Sequence, residues 1–388
     1  MSRPLDVLHV TDSLAHGGAE QNLLSLLRRL PRDRFRHHLA WIVDDLRLAD
    51  SFRPLVDSMV PLGGDYSVRG CAHATVVLRR WIAQHRPDVV HAQLITAQLV
   101  ARAAALGRRP VVTTWQNAWY DPNAVSEFGG PKRRQLMRLF DAVSSRFNRH
   151  FIAVSEHVGV STAAHLGISP SRVSVIYNAV EPARYAAVEE RDLTKVRAEL
   201  GLREDDLVLL TVGRLVPQKA QVDLIEAMGR IVRRFPKAVL LVAGDGPLAD
   251  ELRARAAACG VADRVRLLGV RRDVPALLQL CKLFLFPSLY EGLSVALVEA
   301  VSNGVPVIAS DIPQNREVGG TLEAVRFVRP GDVDSLAKVV FDLLGNYAQV
   351  RQAALAAQAE VQARFDPSLL AMRFGAVLEN AARPRRGA

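Results

Sequence analysis

Short apolar runs alternate with amphipathic stretches along nearly the whole chain. That pattern predicts strands and helices in turn, and so an α/β architecture with parallel sheets. In the first half, LDVLHVTD (5–12), HHLAWIV (37–43), DVVHAQ (88–93), PVVTTWQ (110–116), HFIAVS (150–155) and VSVIYN (173–178) read as strands. Between the first two, Leu23, Leu26, Leu27 and Leu30 share one face at helical spacing, which predicts a helix over 19–30. The alternation breaks over 179–205, which is polar and charged, carries Pro182 and lacks strand character. It restarts with LVLLTVG (207–213), a helix over 221–235, AVLLVAGDG (238–246), VRLLG (265–269), LFLFPS (283–288) and PVIASD (306–311). Two successive sheets of this size predict two Rossmann-like domains facing across a cleft, over 1–178 and 206–364, joined by 179–205. The Ala-rich run 353–364 reads as an ordinary helix, 365–382 as a final helix and RPRRGA as a disordered tail.

Chemistry concentrates where strands end. SLYEGLSVALVEA (288–300) places Glu291 and Glu299 eight positions apart, between a strand stopping at Pro287 and Ser288 and the next strand, 304–311. Strand–loop–helix–strand puts Glu291 at the carboxyl end of a parallel sheet, where doubly wound folds bind ligands. A helix start suits a phosphate, Glu291 at its mouth suits a sugar and Glu299 a ribose. By themselves the two carboxylates equally fit a surface helix with a solvated Glu at each end. In GRLVPQKA (213–220), Arg214 and Lys219 sit in a loop that can aim both at one anion, such as a departing diphosphate; the bland reading is two surface cations. Gly244 and Gly246 of GDGP allow close backbone approach to a ligand, and alone are only a turn. Gly17 and Gly18 of HGGAEQ can present N–H groups to a phosphate at a helix start, although a Gly-Gly turn is weak by itself.

Taken in order, these motifs resemble the retaining glycosyltransferases of family 4, which have the two-domain GT-B fold. The match runs through Pro287, Ser288, Glu291, Gly292, Glu299, Gly304 and Pro306, with the Gly-Gly-Ala-Glu of 17–20 and the GDGP turn beside it. The resemblance implies that Arg214, Lys219 and Glu291 carry the chemistry. It implies donor contacts at Gly17, Gly18, Gln116, Gly244, Gly246, Arg271, Gly292, Leu293 and Glu299. The nucleobase would meet backbone near Val270, Arg271 and Arg272, and Glu317 stands in a recurring position, where it could equally cap a helix. Three positions depart from the family. Ala220 stands where relatives often carry Gly, Gln116 (followed by Asn117) stands where many carry a His, and His91 keeps only the first of a His-x-His pair, with Gln93 as the second. Gln cannot exchange a proton near neutral pH as His can. His91 reads as core or cleft lining, and Trp115, Trp119 and Tyr120 either stack on an acceptor or belong to the core.

The implied activity is transfer of a hexose from a UDP- or GDP-sugar to a polysaccharide, glycolipid or lipid-linked acceptor, without cofactor or metal. The segment 365–388 would return a helix to the first domain and end in the tail. A nucleotide-sugar epimerase and a non-catalytic sugar-nucleotide binder stay open as alternatives. A dinucleotide oxidoreductase is disfavoured because HGGAEQ lacks three-glycine spacing.

Composition adds limits. The 388 residues, 49% apolar and 23% charged, are ordinary for globular domains, and no run approaches a membrane span. The N-terminus enters a strand without a signal-peptide core, and three cysteines without metal spacing fit a reducing cytoplasm. A net charge of +10 is partly clustered, at Arg28, Arg29, Arg32, Arg34, Arg36, His37 and His38, and at Lys132, Arg133, Arg134 and Arg138. Solvated arginine explains this as well as attraction to the inner face of an anionic membrane does. No aromatic-basic or helix-turn-helix motif points to nucleic acid.

Overall fold

In the computed structural model, which describes residues 3–120 and 131–384, the chain forms two compact units. One runs to Ala179 and resumes at Asp366; the other is Val180–Phe365. The first holds strands β1 (Leu5–Thr11), β2 (Phe35–Trp41), β3 (Ser58–Pro61), β4 (Val89–Gln93), β5 (Val111–Trp115), β6 (Asn148–Ala153) and β7 (Val173–Val175). All pair in parallel, in the order β3-β2-β1-β4-β5-β6-β7. The second holds β8 (Leu207–Val212), β9 (Ala238–Ala243), β10 (Val265–Gly269), β11 (Leu283–Phe286), β12 (Val307–Ser310) and β13 (Val325–Val328). These too are parallel, in the order β10-β9-β8-β11-β12-β13. The expected pair of Rossmann-like parallel sheets is therefore present.

Central strands such as β4, β5, β9 and β11 are buried on both faces, which is why they read as unbroken apolar runs. Sequence patterning missed β3 and β13. Both are four-residue edge strands with exposed positions, too short and too polar to stand out. In each sheet the strand order reverses once, between β1 and β4 and between β8 and β11, and the carboxyl ends of those pairs form the binding crevice of such folds.

The segment 179–205 contributes a helix, Glu190–Glu199, that packs on the helix Val274–Leu280 within the second unit. The last helix, Pro367–Ala382, belongs to the first unit. Asp366 caps it by accepting from the Leu369 N–H at 2.8 Å, and Pro367 occupies its first turn. Leu370, Phe374 and Leu378 join Leu23, Leu27 and Phe35 in one core cluster. Gly375 lets the helix approach, since a Cβ there would lie 3.0 Å from Leu30 Cδ2 and Phe35 Cζ.

Beneath this helix lies a row of buried histidines. His9 Nδ1 meets His91 Nδ1 at 3.1 Å, His9 Nε2 meets His37 Nδ1 at 3.1 Å, and His91 Nε2 meets Thr114 Oγ1 at 2.8 Å. Burial holds all three below the ordinary imidazole range, His37 at about 4 and His91 at about 3. His91 is thus core. His37 is removed from the first basic group, three of whose arginines are answered by acids: Arg32–Asp57, Arg34–Glu379 and Arg36–Asp6. Trp115, stacked on Phe151, and Tyr120 are buried core aromatics as well, while Trp119 is half-buried. The tail residues 385–388 lie outside the described residues, as does the Arg133 side chain.

Candidate functional site

The site of the second unit is assembled where β8 and β11 run side by side, Leu209 and Leu210 paired with Leu283 and Phe284. Beyond β8 the chain passes Gly213 and Arg214 into a 3-10 turn, Pro217–Lys219, then into the helix Gln221–Arg234. Beyond β11 it turns through 287–294 into the helix Val295–Ser302. Two hydrogen bonds staple the loops: the Leu289 N–H donates to Gln218 O and Gln218 Nε2 donates to Tyr290 O, both at 2.8 Å. Gln221 Nε2 donates to Arg214 O at 2.9 Å and fixes the start of the first loop.

This brings Lys219 and Glu291 together. Lys219 Nζ lies 2.5 Å from Glu291 Oε1, with the ammonium 5.2 Å from the centre of the Phe286 ring. Both side chains are largely withdrawn from water, at 17% and 7% exposure, so removing either partner would strand a charge with little solvent to answer it. The lysine's methylenes run past Gly213, 3.5–3.6 Å from where a Cβ would stand. Arg214, on the same loop, is exposed.

Gly244 and Gly246 have a packing reason of their own. A Cβ on Gly244 would fall 1.9 Å from Gly213 O, and one on Gly246 would fall 2.5 Å from Leu215 O. The two loops lie backbone to backbone here, with Gly213 N donating to Ala243 O and Leu215 N to Asp245 O, each at 2.9 Å. The glycines thus place the Arg214 loop.

Glu299 is fully engaged within the protein. Arg184 Nε donates to Oε1 at 2.7 Å and Nη2 to Oε2 at 3.1 Å, while Asn303 Nδ2 donates to the carbonyls of Arg184 and Glu299 at 2.9 and 2.8 Å. Arg184 was not foreseen, because it lies in the polar segment 179–205, where nothing in the spacing marks it. A Glu in an apolar helix requires a cation, yet the sequence does not say which one. Arg271 is likewise tied to Asp273 and Glu199, beside Val270, which is 77% exposed. Glu317 lies inside the helix Pro313–Gly319, whose N-cap is Ile312, so it does not cap that helix. Gly292 and Leu293 precede the helix Val295–Ser302, beside a buried hydroxyl–amide cluster of Ser294, Ser310 and Asn315. Close by, Ser288 Oγ is buried without a hydrogen-bond partner.

In the first unit, Gly17 is the N-cap of the helix Gly18–Leu27. A Cβ on Gly17 would lie 2.2 Å from Glu20 Oε2, whereas Gly18 faces open space. The helix start already holds Glu20's carboxyl, whose pKa burial raises. Gln116 belongs to a row of amides at the strand ends: Asn178 Nδ2 donates to Gln116 Oε1 at 3.4 Å, and Gln116 Nε2 donates to Gln93 Oε1 at 3.3 Å. Asp12, after β1, accepts from the Ala97 N–H at 2.7 Å, and burial pushes it up to about 7.

A family model described as Glycosyltransferase Family 4 matches residues 16–184, and one described as Glycosyl transferases group 1 matches 192–360. The chain is 28% identical over 248 residues to the UDP-Gal:alpha-D-GlcNAc-diphosphoundecaprenol alpha-1,3-galactosyltransferase of Escherichia coli, covering 62% of each. It is 25% identical over 355 residues to the 2-deoxystreptamine glucosyltransferase of Streptomyces kanamyceticus, covering 89% of this chain and 90% of that one. Its fold superposes on Anabaena HepE in complex with UDP with a TM-score of 0.83, at 23% identity, covering 97% of this chain and 100% of the other.

Proposed function

Because the chain belongs to the group 1, family 4 glycosyltransferases and has their GT-B fold, we propose that it moves a hexose from a UDP- or GDP-sugar, with retention, to a polysaccharide, glycolipid or lipid-linked acceptor. The observation that carries this reading is the buried Lys219–Glu291 pair at the β8/β11 crevice. A buried ammonium held against a carboxylate, with Arg214 on the same loop, suits a diphosphate on one side and a sugar on the other. The galactosyltransferase of E. coli, which acts on a diphosphoundecaprenol-linked GlcNAc, supports a UDP-sugar donor and a lipid-linked acceptor. Such an acceptor places the chain in the cytoplasm, peripheral to the inner face of the membrane.

In the proposed reaction, the bond from the anomeric carbon to the diphosphate oxygen breaks as the acceptor hydroxyl attacks from the same face. The hydroxyl proton passes to the departing oxygen, whose negative charge Lys219 and Arg214 stabilise without a bound metal. Glu291 steers the lysine and meets the sugar, Gly292 and Leu293 lead the diphosphate to the helix start, and Glu299 shares its carboxylate between Arg184 and the ribose. Gln116, in its amide row, orients a sugar hydroxyl and moves no proton.

Thermal shifts with UDP-, GDP-, ADP- and dTDP-sugars test the donor site, with turnover measured alongside. One nucleotide class should stabilise the chain, and Glu299→Ala should weaken that nucleotide about tenfold, the worth of one charged hydrogen bond. Lys219→Ala should lower kcat by about a hundredfold or more while KM moves less. Stabilisation by none of the panel, or unchanged kinetics in both variants, would overturn the assignment.

A further inference from the structure

The loop 287–294, which carries Glu291, is neither helix nor strand, so its course is set by side chains outside it. Gln218 supplies one hold: its carbonyl accepts from the Leu289 N–H and its Nε2 donates to Tyr290 O, both at 2.8 Å. A second hold comes from Ser310, at the end of β12, and Asn315, in the helix Pro313–Gly319, both completely buried. The Ser294 hydroxyl donates to Asn315 Oδ1. Asn315 Nδ2 donates to Ser310 O at 2.8 Å and to Ser310 Oγ at 3.0 Å. The Ser310 hydroxyl then donates to Ser288 O. One amide thus ties the chain on both sides of Glu291, at Ser288 and at Ser294, to the end of a central strand.

A buried amide is costly unless its hydrogen-bonding groups are answered, and here the oxygen and both hydrogens are. A leucine at 315 would fill a similar volume without that demand. What it would lack is direction, since apolar packing lets a loop slide where a satisfied polar network fixes it.

The two holds differ in what they reach. Gln218 is the neighbour of Lys219, so it sets both partners of the buried ion pair at once. Among the described residues, Asn315 bonds Ser294 and Ser310 and nothing in 213–220. Slack at Ser288 and Ser294 therefore displaces Glu291 while the cation loop stays in place.

We infer that Asn315 is a positioning residue for sugar transfer, which fixes Glu291 by clamping both ends of its loop. The inference rests on the sugar-transfer reading, in which Lys219 and Arg214 answer the diphosphate and Glu291 the sugar.

The test uses the full-length chain with UDP-glucose and UDP, and with GDP-mannose and GDP. Thermal shifts read binding, and release of the nucleoside diphosphate reads turnover. Asn315→Ala should lower kcat about tenfold or more, with the donor KM and the thermal shift given by the free nucleoside diphosphate unchanged. Ser294→Ala should show a smaller fall of the same kind. Combined with Asn315→Ala it should cost nothing further, because both cut one link. If Asn315→Ala fails to fold, Ser294→Ala and Ser310→Ala, each short of a single oxygen, carry the same expectation. A wild-type kcat in these variants, or a loss matched by the nucleoside diphosphate shift, would overturn the inference alone. Absence of any shift or turnover in the wild-type chain would take down the sugar-transfer reading, and this inference with it.

Discussion

Ala220 ends the 3-10 turn that carries Lys219 and starts the helix Gln221–Arg234, at φ 48° and ψ 36°. In this left-handed region a Cβ crowds the neighbouring carbonyl, at a cost of about 1 kcal/mol or more. Glycine removes that cost but loses more backbone entropy on folding. Ala220→Gly should therefore raise stability by a net ~0.5 kcal/mol in urea unfolding; a lower midpoint would mean that the strain is relieved elsewhere. Glu299 illustrates a different demand. Both its oxygens bind Arg184, so in the proposed reading a ribose would share a carboxylate that Arg184 already holds in place. The sequence displayed Lys219 and Glu291 through their places after strand ends, and Glu299 through its spacing from Glu291. It concealed Arg184, whose role depends on a contact across 115 positions.

At the scale of elements, the crevice depends on how closely neighbouring strand-end loops can lie. Gly244→Ala places a methyl 1.9 Å from Gly213 O, which the loops can accept only by separating. The expected result is a stability loss of about 2 kcal/mol or more and weaker nucleotide-sugar binding in the same thermal-shift panel. Gly18→Ala, with open space at its Cβ, is the control and should melt like the wild type. The same packing logic explains which elements were legible. Strands buried on both faces display their burial as apolar runs, and ten of the eleven predicted were four residues or longer. The edge strands β3 and β13 depend on one neighbour each and have exposed positions, so tertiary pairing rather than local pattern creates them.

Over the whole molecule, the distribution of histidine separates the two units. All ten histidines fall in the first unit and none in Val180–Phe365. His9, His37 and His91 have folded pKa values below the unfolded value of about 6.5, so the unfolded chain takes up protons that the folded one refuses. Their contribution is complete above about pH 6.5 and drains as the pH falls towards their folded values, at about 1.4 kcal/mol per unit for each. Asp12, raised to about 7, and Glu20, also raised, run the other way and regain stability on acidification. The three histidines outweigh the two acids, leaving a net loss of stability between pH 7 and 5. Calorimetry should show a transition that moves down over that range beside one that stays. Two pH-independent transitions would mean that the histidines are not buried neutral.

The return of the chain at Asp366 also sets an order of manufacture. Residues Val180–Phe365 form one uninterrupted segment, whereas the first sheet lacks the helix that covers His9, His91 and Phe35 until Pro367–Ala382 has been synthesised. Although its strands leave the ribosome first, the amino-terminal unit is the last to close, and until then one apolar face of its sheet waits for a segment made at the end of translation.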